Sequence, residues 1–135
     1  MRKSKINISG FKIGTAENRE GLTGVTVILA PDGGATAGVD VRGCAPGTRE
    51  TDLLDPRKTV QKIHAVVLSG GSAFGLEAAS GCVKYLAEQG VGFPIGNVCV
   101  PIVCSAVLFD LMIGDEKAYP DLLMGYEAVS YTHLT

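Results

Sequence analysis

The stretch HAVVLSGGSAFGLEAAS, residues 64–80, constrains this chain more than any other. A continuous apolar run, Ala65-Val66-Val67-Leu68, enters two glycines and a serine, and a small-residue helical pattern follows. An apolar run of that length, bounded by turn residues, reads as a strand buried on both faces. Beyond the corner, Leu76, Ala79, Val83 and Leu86 recur at spacings of three and four, which places one apolar stripe along a helix. Gly90 is positioned to end that helix in the left-handed conformation. A buried strand feeding a helix through a tight corner belongs to a layered α/β fold.

The corner itself admits several chemistries, and spacing removes most of them. A P-loop needs Gly-Lys-Ser/Thr after its first glycine, and no lysine lies near this turn. A dinucleotide fingerprint needs GxGxxG, whereas GGSAFG has serine at the second glycine. A nucleophile elbow needs glycine two residues after the serine, and Phe74 stands there after Ser72. Its histidine partner is also missing: His64 lies at the far end of the entering strand and His133 in the tail. Two readings stay open. Ser72 caps the helix while Gly70 and Gly71 permit the turn. Alternatively, Gly70, Gly71, Ser69 and Ser72 line a small anion or oxyanion site at the helix start.

Elsewhere, KINISGFKI over residues 5–13 predicts a first strand. TGVTVILAPDGGATAGVDVRG predicts a hairpin turning at Pro31-Asp32-Gly33-Gly34, with a return strand in which Ala35, Ala37, Val39 and Val41 share a face. The loop that follows crowds Asp40, Arg42, Arg49, Glu50, Asp52 and Asp55 together. It is either a salt-bridged loop or one that lends Arg49 to a pocket. A strand is expected from Val98, a break at Pro101, then a strand or buried helix over residues 106–111. Pro120 and Asp121 suit the first turn of a last helix.

Composition narrows the partners. The chain has 135 residues, enough for one modest domain, and is 46% hydrophobic. A net charge of -2 and 6% aromatic content leave neither a basic footprint nor stacking platforms, so nucleic acid is not expected. The apolar run from Val98 to Leu111 is too short to span a bilayer. Cys44, Cys82, Cys99 and Cys104 form no CxxC pair, so no metal or other cofactor is called for. Buried, reduced thiols and a cytoplasmic location are the expectation.

Longer blocks are more specific. GVTVILAPDGGATAGVDVRGCAPGTRETDLLDP, HAVVLSGGSAFGLEAASGCVKYLAEQGVGFPIG, VPIVCSAVLFDLMIGD and PDLLMGYEA resemble the N-terminal part of the DmpA-type aminopeptidases, which include L-aminopeptidase/D-esterases and beta-peptidyl aminopeptidases. The likeness runs over roughly residues 5 to 128. It implies an αββα sandwich, shared in outline with ornithine acetyltransferases, of which residues 1–128 form part. It implies a precursor that cuts itself, so that a new N-terminal serine or threonine attacks small peptides, amides or esters and forms an acyl-enzyme. An α-amino group with a pKa near 8 is a suitable base for that hydroxyl. The nucleophile then lies downstream of this chain, the downstream β-chain half is its partner, and the full-length protein is a homo-oligomer. Gly70, Gly71, Ser72 and Arg49 become substrate-pocket residues, and the chain alone is expected to be inactive and marginally stable. A small-anion-binding module and an acyltransferase of the ornithine acetyltransferase type are the rival functions. Cys44 and Cys104 replace what is usually glycine and proline. The tail VSYTHLT, residues 129–135, departs from the family and lacks the helical continuation expected after GYEA, as though the gene were truncated.

Overall fold

A computed structural model describes residues 8–133. The chain forms a five-stranded sheet covered by two helices on one face, a layered α/β arrangement. The sheet contains β1 (Lys12–Asn18), β2 (Thr23–Leu29), β3 (Thr48–Arg49), β4 (Ala65–Ser69) and β7 (Val103–Val107), in the order β1-β2-β4-β7-β3. The β4–β7 pair is parallel; every other pairing in this sheet is antiparallel. The helices are α1 (Ala78–Glu88) and α2 (Leu122–Ser130). A separate hairpin, β5 (Phe93–Ile95) with β6 (Val98–Val100), lies between α1 and β7 in the chain.

Alternation decides which face the helices cover. Val25, Val27 and Leu29 of β2, Ala65 and Val67 of β4 and Val103 of β7 are buried with Ala78, Ala79, Cys82 and Leu86 of α1 and Ala128 and Val129 of α2. The helices touch through small residues. A Cβ on Gly81 would lie 2.0 Å from the Leu122 carbonyl oxygen, and one on Gly125 would lie 1.9 Å from that of Ala78. Any side chain at either position would push the helices apart. α1 ends as expected: Gly90 has φ +69°, and Val91 N–H reaches the Leu86 carbonyl at 2.9 Å.

Several expectations change. The first strand begins at Lys12 rather than residue 5, after a turn at Gly10; residues 1–7 lie outside the described residues. The Pro31–Gly34 turn forms, with Gly34 N–H on the Pro31 carbonyl at 2.9 Å, but no return strand follows. Ala35 bridges Ile63 and pairing stops there. The cause is competition for edges: one side of β2 is taken by β1 and the other by β4, so residues 36–42 have no partner on it. The true hairpin is β1–β2, closed by Asn18 Oδ1 accepting from Gly21 N–H at 2.8 Å.

β4 is buried on one face only. Ala65, Val67 and Ser69 point to the helices, whereas Leu68 is 46% exposed on the opposite face. That face carries Thr15, Thr26, Ile28 and Val66, and among the described residues its cover lies at one end, where Leu53, Leu54 and Val60 pack around Ile63, Ile102 and Cys104. Pro101 does separate two strands, and the element expected over residues 106–111 is strand only at its start: β7 ends at Val107, and Leu108 and Phe109 beyond it are exposed. Pro120 precedes the helix, and Asp121 is its N-cap, accepting from Met124 N–H at 2.9 Å.

The tail also differs from expectation. α2 continues to Ser130 and a 3-10 turn carries the chain to His133. Val129 and Thr132 are buried, so the helical continuation after GYEA is present and contributes to the core. The thiols divide. Cys82 and Cys104 are buried, and burial pushes them up to about 12 and about 11, while Cys44 is exposed and Cys99 half-buried.

Candidate functional site

β4 and β7 run parallel, so their carboxyl ends emerge side by side, and the glycine corner lies there. Such an edge is where open α/β sheets place ligands. Gly70, Gly71 and Ser72 each have a reason to be where they are. A Cβ on Gly70 would lie 2.2 Å from Asp110 Oδ2 and 2.4 Å from Thr23 Oγ1, so only glycine lets the backbone pass. Gly71 has φ +83° and Ser72 φ +53°, two consecutive left-handed residues that turn the chain sharply into a 3-10 turn over Ser72–Glu77.

Ser72 is not a helix cap. Its side chain makes no capping hydrogen bond, and the residue at the cap position is Gly71. The backbone donors of the corner are also engaged. Gly70 N–H donates to the Gly24 carbonyl at 2.9 Å, Ser72 N–H to the Leu108 carbonyl at 2.9 Å, and Gly71 N–H to Asp110 Oδ1 at 2.8 Å. These three N–H groups therefore shape the corner rather than face a ligand. Ser69 donates its hydroxyl to the Gly70 carbonyl at 3.0 Å and is buried.

Asp110 ties the site together and sequence reasoning missed it. Its second oxygen accepts from Thr23 Oγ1 at 2.7 Å. One carboxylate thus joins the start of β2, the β4 corner and the segment after β7. The signal available in sequence was slight: Asp110 is the first charged residue after Glu88. Asp110 borders a trough of about 690 Å³ together with Thr23, Ser69, Gly70, Leu68 and Leu108. On the other flank of the corner, Phe74 stacks on Tyr119 with ring centroids 4.5 Å apart, and both rings are exposed to solvent.

The structure does not bring the remaining candidates to this corner in the same way. Arg49 lies on the edge strand β3, paired with Ser105 of β7, and donates to Ser80 Oγ of α1 at 2.7 Å. It takes no part in the ion pairs of its loop, which run locally from Arg42 to Asp40 and from Arg57 to Asp55. The Arg57 guanidinium holds the Asp55 carboxyl at about 2. His64 stands at the opposite end of β4, about 16 Å of strand away from Ser72. Its Nδ1 accepts from Ile102 N–H at 3.0 Å, and burial lowers its pKa, so it is a neutral structural ring. Among the described residues no three or more His, Cys, Asp or Glu side chains converge as metal ligands, and no helix is long and apolar enough to cross a membrane.

Comparison with known proteins adds to this geometry. The family model described as Peptidase family S58 matches residues 5–121. An uncharacterized aminopeptidase of Mycobacterium tuberculosis, Rv1333, is 50% identical over 105 residues, 78% of this chain and 30% of the relative. One from Mycobacterium leprae, ML1167, is 51% identical over 105 residues, covering 78% and 29%. A 6-aminohexanoate-oligomer endohydrolase of Agromyces sp. is 35% identical over 127 residues, 94% of this chain and 33% of the relative. The chain thus spans about a third of the length of these curated relatives.

Proposed function

This chain belongs to peptidase family S58, a hydrolase family, and from that premise we propose that it forms the first part of a self-processing aminopeptidase whose attacking residue lies on a later segment. The substrates are small peptides, amides or esters with a free amino end, and the product of the first step is an acyl-enzyme. The name aminopeptidase, carried by the mycobacterial relatives, supports the reaction class.

The observation that carries this reading is the state of the corner. A serine nucleophile needs a base within hydrogen-bond reach. Ser72 has His64 at the far end of β4, Ser69 Oγ is turned onto a backbone carbonyl, and Thr23 Oγ1 is held by Asp110. The corner is built as a rigid floor. In the proposal Gly70, Gly71 and Ser72 shape that floor, the Ser72 hydroxyl facing substrate, and Arg49 holds β3 against α1 beside it. An N-terminal serine or threonine arrives from the downstream half with its own α-amino base.

The uncovered sheet face supports the same arrangement. Among the described residues no helix lies above Leu68, Thr15 and Thr26, and burying one leucine contributes about 2 kcal/mol. We assign that face to the second sheet of an αββα sandwich, supplied by the downstream half. The small-anion module is less well supported, because the three corner N–H groups already have acceptors.

The test compares the 135-residue chain with the intact precursor on small aminoacyl amides. The expected result is turnover by the processed precursor and none by the chain. Robust turnover by the chain alone contradicts the proposal.

A further inference from the structure

We propose that Asp110 anchors the primary ammonium group of the substrate, an inference that rests on the aminopeptidase reading above. Asp110 is half-buried on the wall of the trough beside the corner. Its two bonds come from neutral donors, Gly71 N–H and the Thr23 hydroxyl. Among the described residues no cation lies within ion-pair distance of it. Arg19 borders the same trough, but its Nε is on Glu17 at 2.7 Å. The trough therefore holds one uncompensated negative charge in a partly desolvated position, where a cation gains more than it does in open water.

The geometry selects the kind of cation. Each carboxylate oxygen can accept about two hydrogen bonds, and each here has one. A guanidinium prefers two parallel bonds to both oxygens, a fork that the Gly71 and Thr23 donors partly occupy. An ammonium is a compact point charge with three donors and can use one remaining lone pair. The carboxylate is also fixed before the ligand arrives, since two elements hold it, so little ordering remains to oppose binding. An enzyme that cuts next to a free amino end needs a group of this kind on the wall of its pocket.

The experiment titrates the intact protein, in which the downstream half completes the trough, with alaninamide and, separately, with isobutyramide, which has a methyl group in place of the ammonium. Calorimetry reads affinity, and the amide resonance of Gly71 reads position, because that N–H is bonded to Asp110. We expect alaninamide to bind at least about tenfold more tightly than isobutyramide and to shift the Gly71 resonance. Asp110→Asn, which keeps the shape, should lose the discrimination. If this variant does not fold, the two-ligand comparison on the unaltered protein decides alone. Equal affinities, an unmoved Gly71 resonance, or no saturable binding of alaninamide overturns the assignment. In the intact precursor the two readings separate. Turnover with an unchanged KM in Asp110→Asn sinks the anchor alone, while ammonium binding without turnover sinks the aminopeptidase reading alone.

Discussion

Replacing Gly71 by alanine tests how the corner is built. The residue has φ +83°, a conformation that costs a side-chain-bearing residue about 1 kcal/mol. A second cost is steric. The new Cβ would lie 2.6 Å from Tyr119 Cβ and 3.1 Å from Pro120 Cδ. Tyr119 cannot swing its Cβ away without moving backbone that leads into the α2 cap. Overpacking of this kind costs about 1–3 kcal/mol. The sum is about 2–4 kcal/mol, a large fraction of the stability of a small domain. Gly33 provides the control, with φ +84° and no atom within 4 Å of an added Cβ. Gly33→Ala should therefore show the conformational cost alone, about 1 kcal/mol. Urea titration reads both as midpoint shifts at unchanged slope. The expected result is a clearly larger loss at Gly71, or an unfolded Gly71→Ala beside a folded Gly33→Ala. Equal shifts would refute the claim that Tyr119 closes on the corner.

Two further predictions concern titration and reactivity. Burial depresses the His64 pKa below 6.5, so the unfolded chain binds more protons as pH falls. The stability that this histidine contributes is full above pH 6.5 and declines as pH drops through that value toward the folded pKa; His64→Gln should flatten this decline in melting experiments between about pH 7.5 and 5. A thiol reagent should modify Cys44 fastest and Cys99 next in the native chain, while Cys82 and Cys104, raised to about 12 and about 11, react only on unfolding. Native labelling of Cys82, read by mass spectrometry, would show that the α1 interface opens.

What could be read from the sequence follows the range of the forces involved. The β4–corner–α1 unit was legible because its signals are local: an apolar run, paired glycines, a three-four stripe and Gly90 at the helix end. The false hairpin after Pro31 had equally good local chemistry. It failed because the neighbour of β2 is decided by β4, more than thirty residues further on. β1 was nearly invisible, since KIGTAEN owes its place to Gly14 and Ala16, small residues that let α2 come close. The family resemblance read from the long motif blocks agrees with the S58 match at the level of the peptidase family. Asp110 could not be found by periodicity or motif, because its value comes from three segments meeting at one carboxylate. Ser72 misled for the opposite reason: serine before a helix is a strong capping signal, and here Gly71 holds the cap position while Ser72 is itself left-handed.

The most direct test of the central claim is to trap the acyl-enzyme. The intact precursor is allowed to mature, treated with a slow ester substrate, digested and sequenced by mass spectrometry. The account predicts an acyl group on a newly exposed N-terminal serine or threonine beyond residue 135, with Ser69 and Ser72 unmodified. An acyl group on Ser72 would contradict it.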